Sequence, residues 1–205
     1  KSVALRLLNG LDYPDSGSVV FAGREVATMT DSELRDLRRR VAMLFQSGAL
    51  FDSMNVFENI AFPLREHTDL DAAAIAEKVR EKLALVHLPD IEESLPSQLS
   101  GGMKKRVALA RSLALDPDAV LFDEPTTGLD PRTAATIGEL LRDARGQAGA
   151  TAVVVTHDLQ LARRVADRIA FLHQGRFVFL GTFAEAEVSG HPELLAFLAG
   201  RADEE

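Results

Sequence analysis

Two adjacent carboxylates, Asp123 and Glu124, follow the apolar run Ala119-Val120-Leu121-Phe122. A buried parallel strand delivers its functional groups at its carboxyl end, where ligands of open α/β sheets bind. The first acid can hold Mg2+, directly or through water, and the second can polarise a water for attack on phosphorus. A strand that simply ends in solvated acids has the same sequence. Ser100, Gly101 and Gly102 open a helical run. Glycines let a backbone approach a phosphate, and Ser100 with the first helical amides can donate hydrogen bonds to it. A serine-capped flexible loop reads the same way. Lys104, Lys105 and Arg106 then supply either positive potential or a solvated helix face. His157, after the run 151–156, can contact a γ-phosphate or orient a water, or serve structure alone. Gln46 ends an earlier run, and its amide can ligate Mg2+, hold a water, or be an ordinary loop residue. Lys1-Ser2 repeats the last two residues of the phosphate-loop pattern Gly-x-x-x-x-Gly-Lys-Ser/Thr, in which the lysine meets the β/γ-phosphates and the hydroxyl meets Mg2+.

These groups need elements to hold them. Short β-like runs alternate with helical stretches, which predicts an α/β fold with a largely parallel sheet. Residues 3–9 read as a helix closed by Gly10 in a left-handed cap. Residues 14–17 read as a turn and 18–21 as a strand. Thr30 and Glu33 form a capping box for a helix rich in arginine, and residues 41–45 form a second strand. From Ser47 to about Pro117 the strand signals vanish, so residues 47–117 are expected to form an inserted helical subdomain. Asp71 caps one of its helices, and residues 102–115 form another. Strand character resumes at 119–123. Asp130 before Pro131 is a helix start. Residues 151–156 read as a buried strand, 169–173 and 177–180 as a hairpin joined by Gln174-Gly175, and 192–199 as a short helix.

The chain has 205 residues, no cysteine and a net charge of −8. Thiolate metal sites and disulfides are excluded. The acidic balance argues against general nucleic-acid binding, which needs cations to replace phosphate counterions. No apolar run approaches the roughly 20 residues that span a bilayer.

The order of the pieces is what joins them. The sequence resembles an ABC transporter nucleotide-binding domain over essentially its whole length. Residues 99–103 are similar to the signature motif, 119–124 to Walker B with its glutamate, and 128–130 to the D-loop. Gln46 falls at the Q-loop, His157 at the switch histidine and Lys1-Ser2 at the end of Walker A. The resemblance implies a P-loop NTPase (RecA-like) core with an inserted helical subdomain. It implies a homodimer that sandwiches ATP. Lys1 and the amides of Ser2 and Val3 would hold phosphates. Ser2, Gln46 and Asp123 would organise Mg2+. Glu124 would be the general base, with Gln46 and His157 completing the catalytic set. Ser100, Gly101 and Gly102 would complete the ATP site of the other subunit, and Asp130 would couple the two sites. Integral-membrane permease subunits would dock near Gln46 and the helical subdomain, on the cytoplasmic face of the inner membrane. The family pattern also places a strand and a glycine loop ahead of the lysine, so the chain as given is expected to bind ATP weakly.

Residues 44–66, with Gln46-Ser47-Gly48-Ala49-Leu50-Phe51-Asp52 and then Val56-Phe57-Glu58-Asn59-Ile60-Ala61-Phe62-Pro63-Leu64, resemble the ATPases of Mla/Mce-type phospholipid transporters. That resemblance implies phospholipid transport that maintains outer-membrane asymmetry. Its partners would be a lipid permease, an Mce-domain protein and a small regulatory subunit. An amino-acid-type importer shares every catalytic motif and differs only in this stretch. An ABC ATPase of cell division or translation is another reading, the latter usually with two such domains in one chain, and a regulatory module that no longer hydrolyses ATP is a third, against which Glu124 and His157 argue. Of Phe51, Met54, Phe57 and Phe62, at least half are expected in the core.

Overall fold

The computed structural model describes residues 1–46 and 48–200, with backbone alone at 144–148. Ser47, where the helical stretch is expected to begin, lies outside the described residues. The chain divides into two compact units, Lys1–Thr156 and His157–Glu205.

The first unit opens with α1 (Ser2–Leu8). Its end follows from Gly10, whose φ of +61° lets two amides turn back. Gly10 N–H donates to Leu7 O at 3.2 Å and Leu11 N–H to Arg6 O at 2.9 Å, which satisfies carbonyls that the helix leaves open. A hairpin follows, β1 (Val20–Phe21) against β2 (Arg24–Glu25). Ala22 and Gly23 turn it, both at positive φ as a type I′ turn requires. The strand expected at 18–21 is therefore shorter, because only Val20 and Phe21 enter a ladder. Helix α2 (Asp31–Arg40) begins at the predicted box, with Thr30 and Glu33 each satisfying the other's backbone amide. It runs directly into β3 (Val41–Leu44), which stops one residue early and leaves Phe45 exposed.

Between β3 and β4 (Ala119–Asp123) lie α3 (Val56–His67), α4 (Ala72–Leu85) and α5 (Gly101–Ser112), with no strand among the described residues. Val56, Ile60, Ala61 and Leu64 form one buried stripe on α3, which packs on α4 and α5. This stripe displaces the aromatic residues from the interior. Phe51 is 42 % exposed and Phe62 38 %, while Met54 and Phe57 are half-buried, so the core placement expected for at least half of the four is not met. Asp71 caps α4 as predicted, accepting from Ala74 N–H at 2.8 Å.

Helix α6 (Pro131–Ala148) leads to β5 (Thr151–Val155). The three strands lie parallel in the order β3-β4-β5, with Leu44 opposite Phe122 and Asp123 opposite Val155. Leu121 of β4 joins Leu5, Val26, Leu34, Leu37 and Val41 in one core beneath them. The expectation of a buried strand at 151–156 fails at its edges. Among the described residues β5 pairs only with β4, and its residues run from exposed to half-buried.

The second unit contains α7 (Leu159–Val165), the hairpin of β6 (Ile169–His173) and β7 (Arg176–Gly181), α8 (Phe183–Glu187) and α9 (Pro192–Leu198). Gln174 and Gly175 turn the hairpin at positive φ, as predicted. Phe171 meets Phe197 of α9 at 5.4 Å between ring centres. No helix among the described residues is long and apolar enough to cross a membrane.

Candidate nucleotide site

Parallel pairing puts the loops after β3 and β4 at one end of the sheet. Asp123, the last residue of β4, is 8 % exposed. Its Oδ1 accepts a hydrogen bond from Ser2 Oγ at 3.0 Å, across 121 positions of sequence. Helix α1 and strand β4 thus bring together two of the residues expected to share a cation. Glu124 follows at φ +48°, a left-handed backbone that a residue with a side chain adopts at a cost of about 1 kcal/mol. Two bonds hold it there: its N–H donates to Val155 O at 2.9 Å, and its carbonyl accepts from Thr127 N–H at 3.2 Å. Thr127 Oγ1 also lies 3.5 Å from Glu124 Oε2.

Gln46 lies two residues beyond Leu44, as Glu124 lies two beyond Phe122, so register places both at one sheet end. Its side chain is exposed and, among the described residues, forms no hydrogen bond to Ser2 or Asp123. Lys1 precedes α1 as its N-cap, with its carbonyl accepting from Ala4 N–H at 2.9 Å, and Val3 is 61 % exposed on the first turn. His157 is exposed and opens the second unit.

Ser100 caps α5, its Oγ accepting from Met103 N–H at 3.3 Å. Ser100 and Gly101 are exposed, whereas Gly102 is buried. A Cβ on Gly102 would stand 2.4 Å from Thr133 Cγ2 of α6, so the close approach of the two helices requires glycine. Asp130 caps α6: Oδ1 accepts from the N–H groups of Arg132 and Thr133, both at 3.0 Å, and Oδ2 from Thr133 Oγ1 at 2.6 Å. Those hydrogen bonds, the Thr133 hydroxyl first, hold the Asp130 carboxyl below its usual range.

The reading of Lys104–Arg106 as a solvated face needs correcting. Lys105 is buried, and its Nζ donates to Thr127 O at 2.7 Å. Burial pushes its ammonium pKa down, against the opposing pull of the Glu124 carboxylate. Arg106 donates to Val86 O and His87 O at 3.3 and 3.2 Å and so closes the end of α4. Motif reading missed Lys105, Thr127 and Thr133. A signal existed: Gly102, Lys105 and Leu109 share one helix face by spacing, and a cation on a face with a glycine and a leucine is not a solvent cation.

A cavity of about 520 Å³ lies elsewhere, lined by residues of α2, α3 and α4, and holds none of these residues. Two of the cations that line it are paired, Arg40 with Asp118 at 2.6 Å and Lys78 with Asp116 at 2.6 Å.

A sequence model of the ABC transporter matches residues 1–127, well over half of the chain. The chain belongs to the ABC transporter family. It is 42 % identical over 203 residues to the intermembrane phospholipid transport system ATP-binding protein MlaF of Escherichia coli K12, covering 99 % of this chain and 76 % of that protein. It is 43 % identical over 201 residues to the "Probable ribonucleotide transport ATP-binding protein mkl" of Mycobacterium bovis, covering 98 % of this chain and 56 % of that one. The ABC cassette MJ0796, solved as a dimer bound to ADP and Pi, superposes with a TM-score of 0.80 at 32 % identity, over 88 % of this chain and 79 % of that one. The cassette cbiO1 of Clostridium perfringens gives 0.81 at 28 % identity, over 91 % and 76 %. The fold is accordingly the P-loop NTPase fold, and this ABC chain is an ATP-binding, ATP-hydrolysing subunit of a transporter.

Proposed function

We propose that this cassette powers phospholipid movement through a membrane permease, working as a pair of identical copies that close on ATP. The observation that carries the catalytic part is the Ser2–Asp123 hydrogen bond with Glu124 next in sequence. A hydroxyl and a carboxylate oxygen are hard donors that suit Mg2+, and an amide oxygen of Gln46 completes the same chemistry. When bound, Mg2+ would neutralise charge on the β- and γ-phosphates. Ser2, Asp123 and Gln46 are the residues that would hold it. Lys1, with the amides of Ser2 and Val3, would bind phosphate oxygens. Glu124 would take the proton of the attacking water as general base, and its turn already fixes its backbone through Val155 and Thr127. His157 would steady the γ-phosphate. Ser100, Gly101 and Gly102 would serve the ATP held by the partner copy, and Asp130 would link the two sites. The solved dimer of MJ0796 supports the paired arrangement.

The phospholipid part rests on the relationship to MlaF and on the stretch after Gln46. There Phe51 and Phe62 stand exposed with their rings 5.2 Å apart, edge to face. Asn59, fully buried, holds the loop beneath them through Phe51 N–H, Phe51 O, Met54 O and Asn55 O at 2.9 to 3.1 Å. An aromatic pair held out of the core, Phe51 on the loop that Asn59 pins and Phe62 on α3, suits a permease contact on the cytoplasmic side of the cell membrane. Residues 47–117 would move as the helical subdomain that carries this contact. An Mce-domain protein and a small regulatory subunit are the further partners of this reading.

A second reading, transport of a polar solute such as a ribonucleotide, draws on the similarity to mkl. The test is purification of the full-length protein from its native membrane in mild detergent, with mass spectrometry of bound proteins and small molecules. A permease with an Mce-domain protein and phospholipid is the expected result. A solute-binding protein without lipid above background would replace the phospholipid reading and leave the ATPase mechanism in place.

A further inference from the structure

Lys105 has no part in the mechanism above, yet it is one of the few charged side chains buried in the first unit. Burying an ammonium is costly unless it is paired. Lys82, the other buried lysine, has two carboxylate partners, Asp116 at 2.6 Å and Glu81 at 2.8 Å. Lys105 has a backbone carbonyl, Thr127 O at 2.7 Å, and the nearby charge of Glu124. The residue it grips closes the turn that carries Glu124: Thr127 N–H bonds to Glu124 O at 3.2 Å, and Thr127 Oγ1 lies 3.5 Å from the Glu124 carboxylate. One turn earlier on the same helix face, Gly102 abuts Thr133, which is itself bonded to Asp130.

We propose that Lys105 is a positioning residue that ties the turn of Glu124 to the start of the helix carrying Ser100, Gly101 and Gly102. The inference rests on the paired-copy reading above. In that arrangement Glu124 serves the ATP of its own chain, and Ser100 to Gly102 serve the ATP of the partner. Lys105 joins the two within one chain. Engagement of the partner's nucleotide at Ser100 is thereby transmitted to the Glu124 turn through the Lys105 ammonium and the Thr127 carbonyl. A methionine of similar length would keep the packing and remove the grip.

The test is steady-state ATP hydrolysis by the full-length transporter over a range of ATP concentrations, with melting temperature measured alongside. The proteins compared are wild type, Lys105→Met, Lys105→Gln and Glu124→Gln. Lys105→Met is expected to lower kcat about tenfold, since small misplacement of a catalytic group costs one to two orders of magnitude. Its KM stays within about twofold, the Hill coefficient falls toward 1, and the melting temperature changes little. Lys105→Gln, which keeps an N–H donor on a shorter arm, should fall between the two. Wild-type kcat and Hill coefficient in Lys105→Met overturn the proposal. So does a loss of activity that tracks a fall in melting temperature in both Lys105 variants, or failure of both to fold, because the lysine is then a core element only. Wild-type turnover in Glu124→Gln would instead remove the catalytic reading on which the proposal stands.

Discussion

At the ends of β3 and β4, Gln46 and Asp123 use little of their bonding capacity on the protein. Gln46 is exposed, and Asp123 takes one hydroxyl, that of Ser2. Between α3 and α5 the polar side chains spend their hydrogen bonds on backbone groups, with the Arg106 Nε buried and left without a partner. Asn59 meets four backbone groups, Arg106 closes α4, and Arg111 reaches Gly48 O at 3.1 Å while lying over the Phe51 ring. The first region keeps lone pairs and donors in reserve for a ligand, and the second spends them on holding shape. Buried polar groups stay buried when they are fully bonded, whereas groups that must bind a charged ligand need capacity left over. Lys105 stands between the two regions, and its bond to Thr127 O is where they meet.

That contrast predicts different failures. Glu124→Gln in the full-length transporter should cut turnover by about 10²- to 10⁴-fold while leaving ATP affinity and melting temperature near wild type. Unchanged turnover would remove Glu124 from the catalytic reading. Asn59→Ala should do the reverse, losing about 2–3 kcal/mol of stability by chemical denaturation while kcat per folded molecule stays within a few fold. A stability change below about 0.5 kcal/mol would show that the four bonds seen at Asn59 carry no structural weight.

Gly102→Ala should cost about 1–3 kcal/mol through its clash with Thr133 Cγ2, and Thr133→Ser in the same chain should recover most of the loss. If the second change recovers nothing, the contact between α5 and α6 is not what requires glycine.

Lys82→Met should cost about 1 kcal/mol, measured by denaturation against pH. Burial opposes the Lys82 charge, but hydrogen bonds to Asp116 and Glu81 outweigh it and leave the lysine pKa raised. Burial likewise opposes the Asp116 charge, and Lys78 and Lys82 outweigh it and leave that pKa lowered. A raised lysine stabilises fully below its unfolded pKa, near 10.4, and loses this as pH climbs through the folded value. A lowered aspartate stabilises above its unfolded pKa, near 3.9, and loses this as pH drops through the folded value. The difference between wild type and variant should therefore be flat from about pH 5 to pH 9 and shrink beyond either end. A gap that widens at either extreme would contradict the pairing of Lys82 with Asp116.

Much of this molecule was legible in one dimension because its signals are local. A capping box needs Thr30 and Glu33 three residues apart, a left-handed cap needs Gly10 at one position, and a hairpin turn needs Gln174-Gly175. The candidate site was legible for a related reason. Each motif is a short run at the end of one element, and the order of the runs identifies the family before any distance is known. What residues do across elements was not legible. Spacing puts Lys105 on the face of Gly102 and Leu109, but nothing in the order of residues says that this face meets the Glu124 turn. Nor does it say that Asn59 points inward while Phe62, three residues later, points out. Ser2 and Asp123 were each marked by motif, but only the packing of α1 against β4 puts 3.0 Å between them. Composition, caps and motifs are properties of neighbours in sequence and belong to the chain itself. Burial of a charge, saturation of an amide and the clearance beside Gly102 are properties of neighbours in space, and they exist only once the helices have packed.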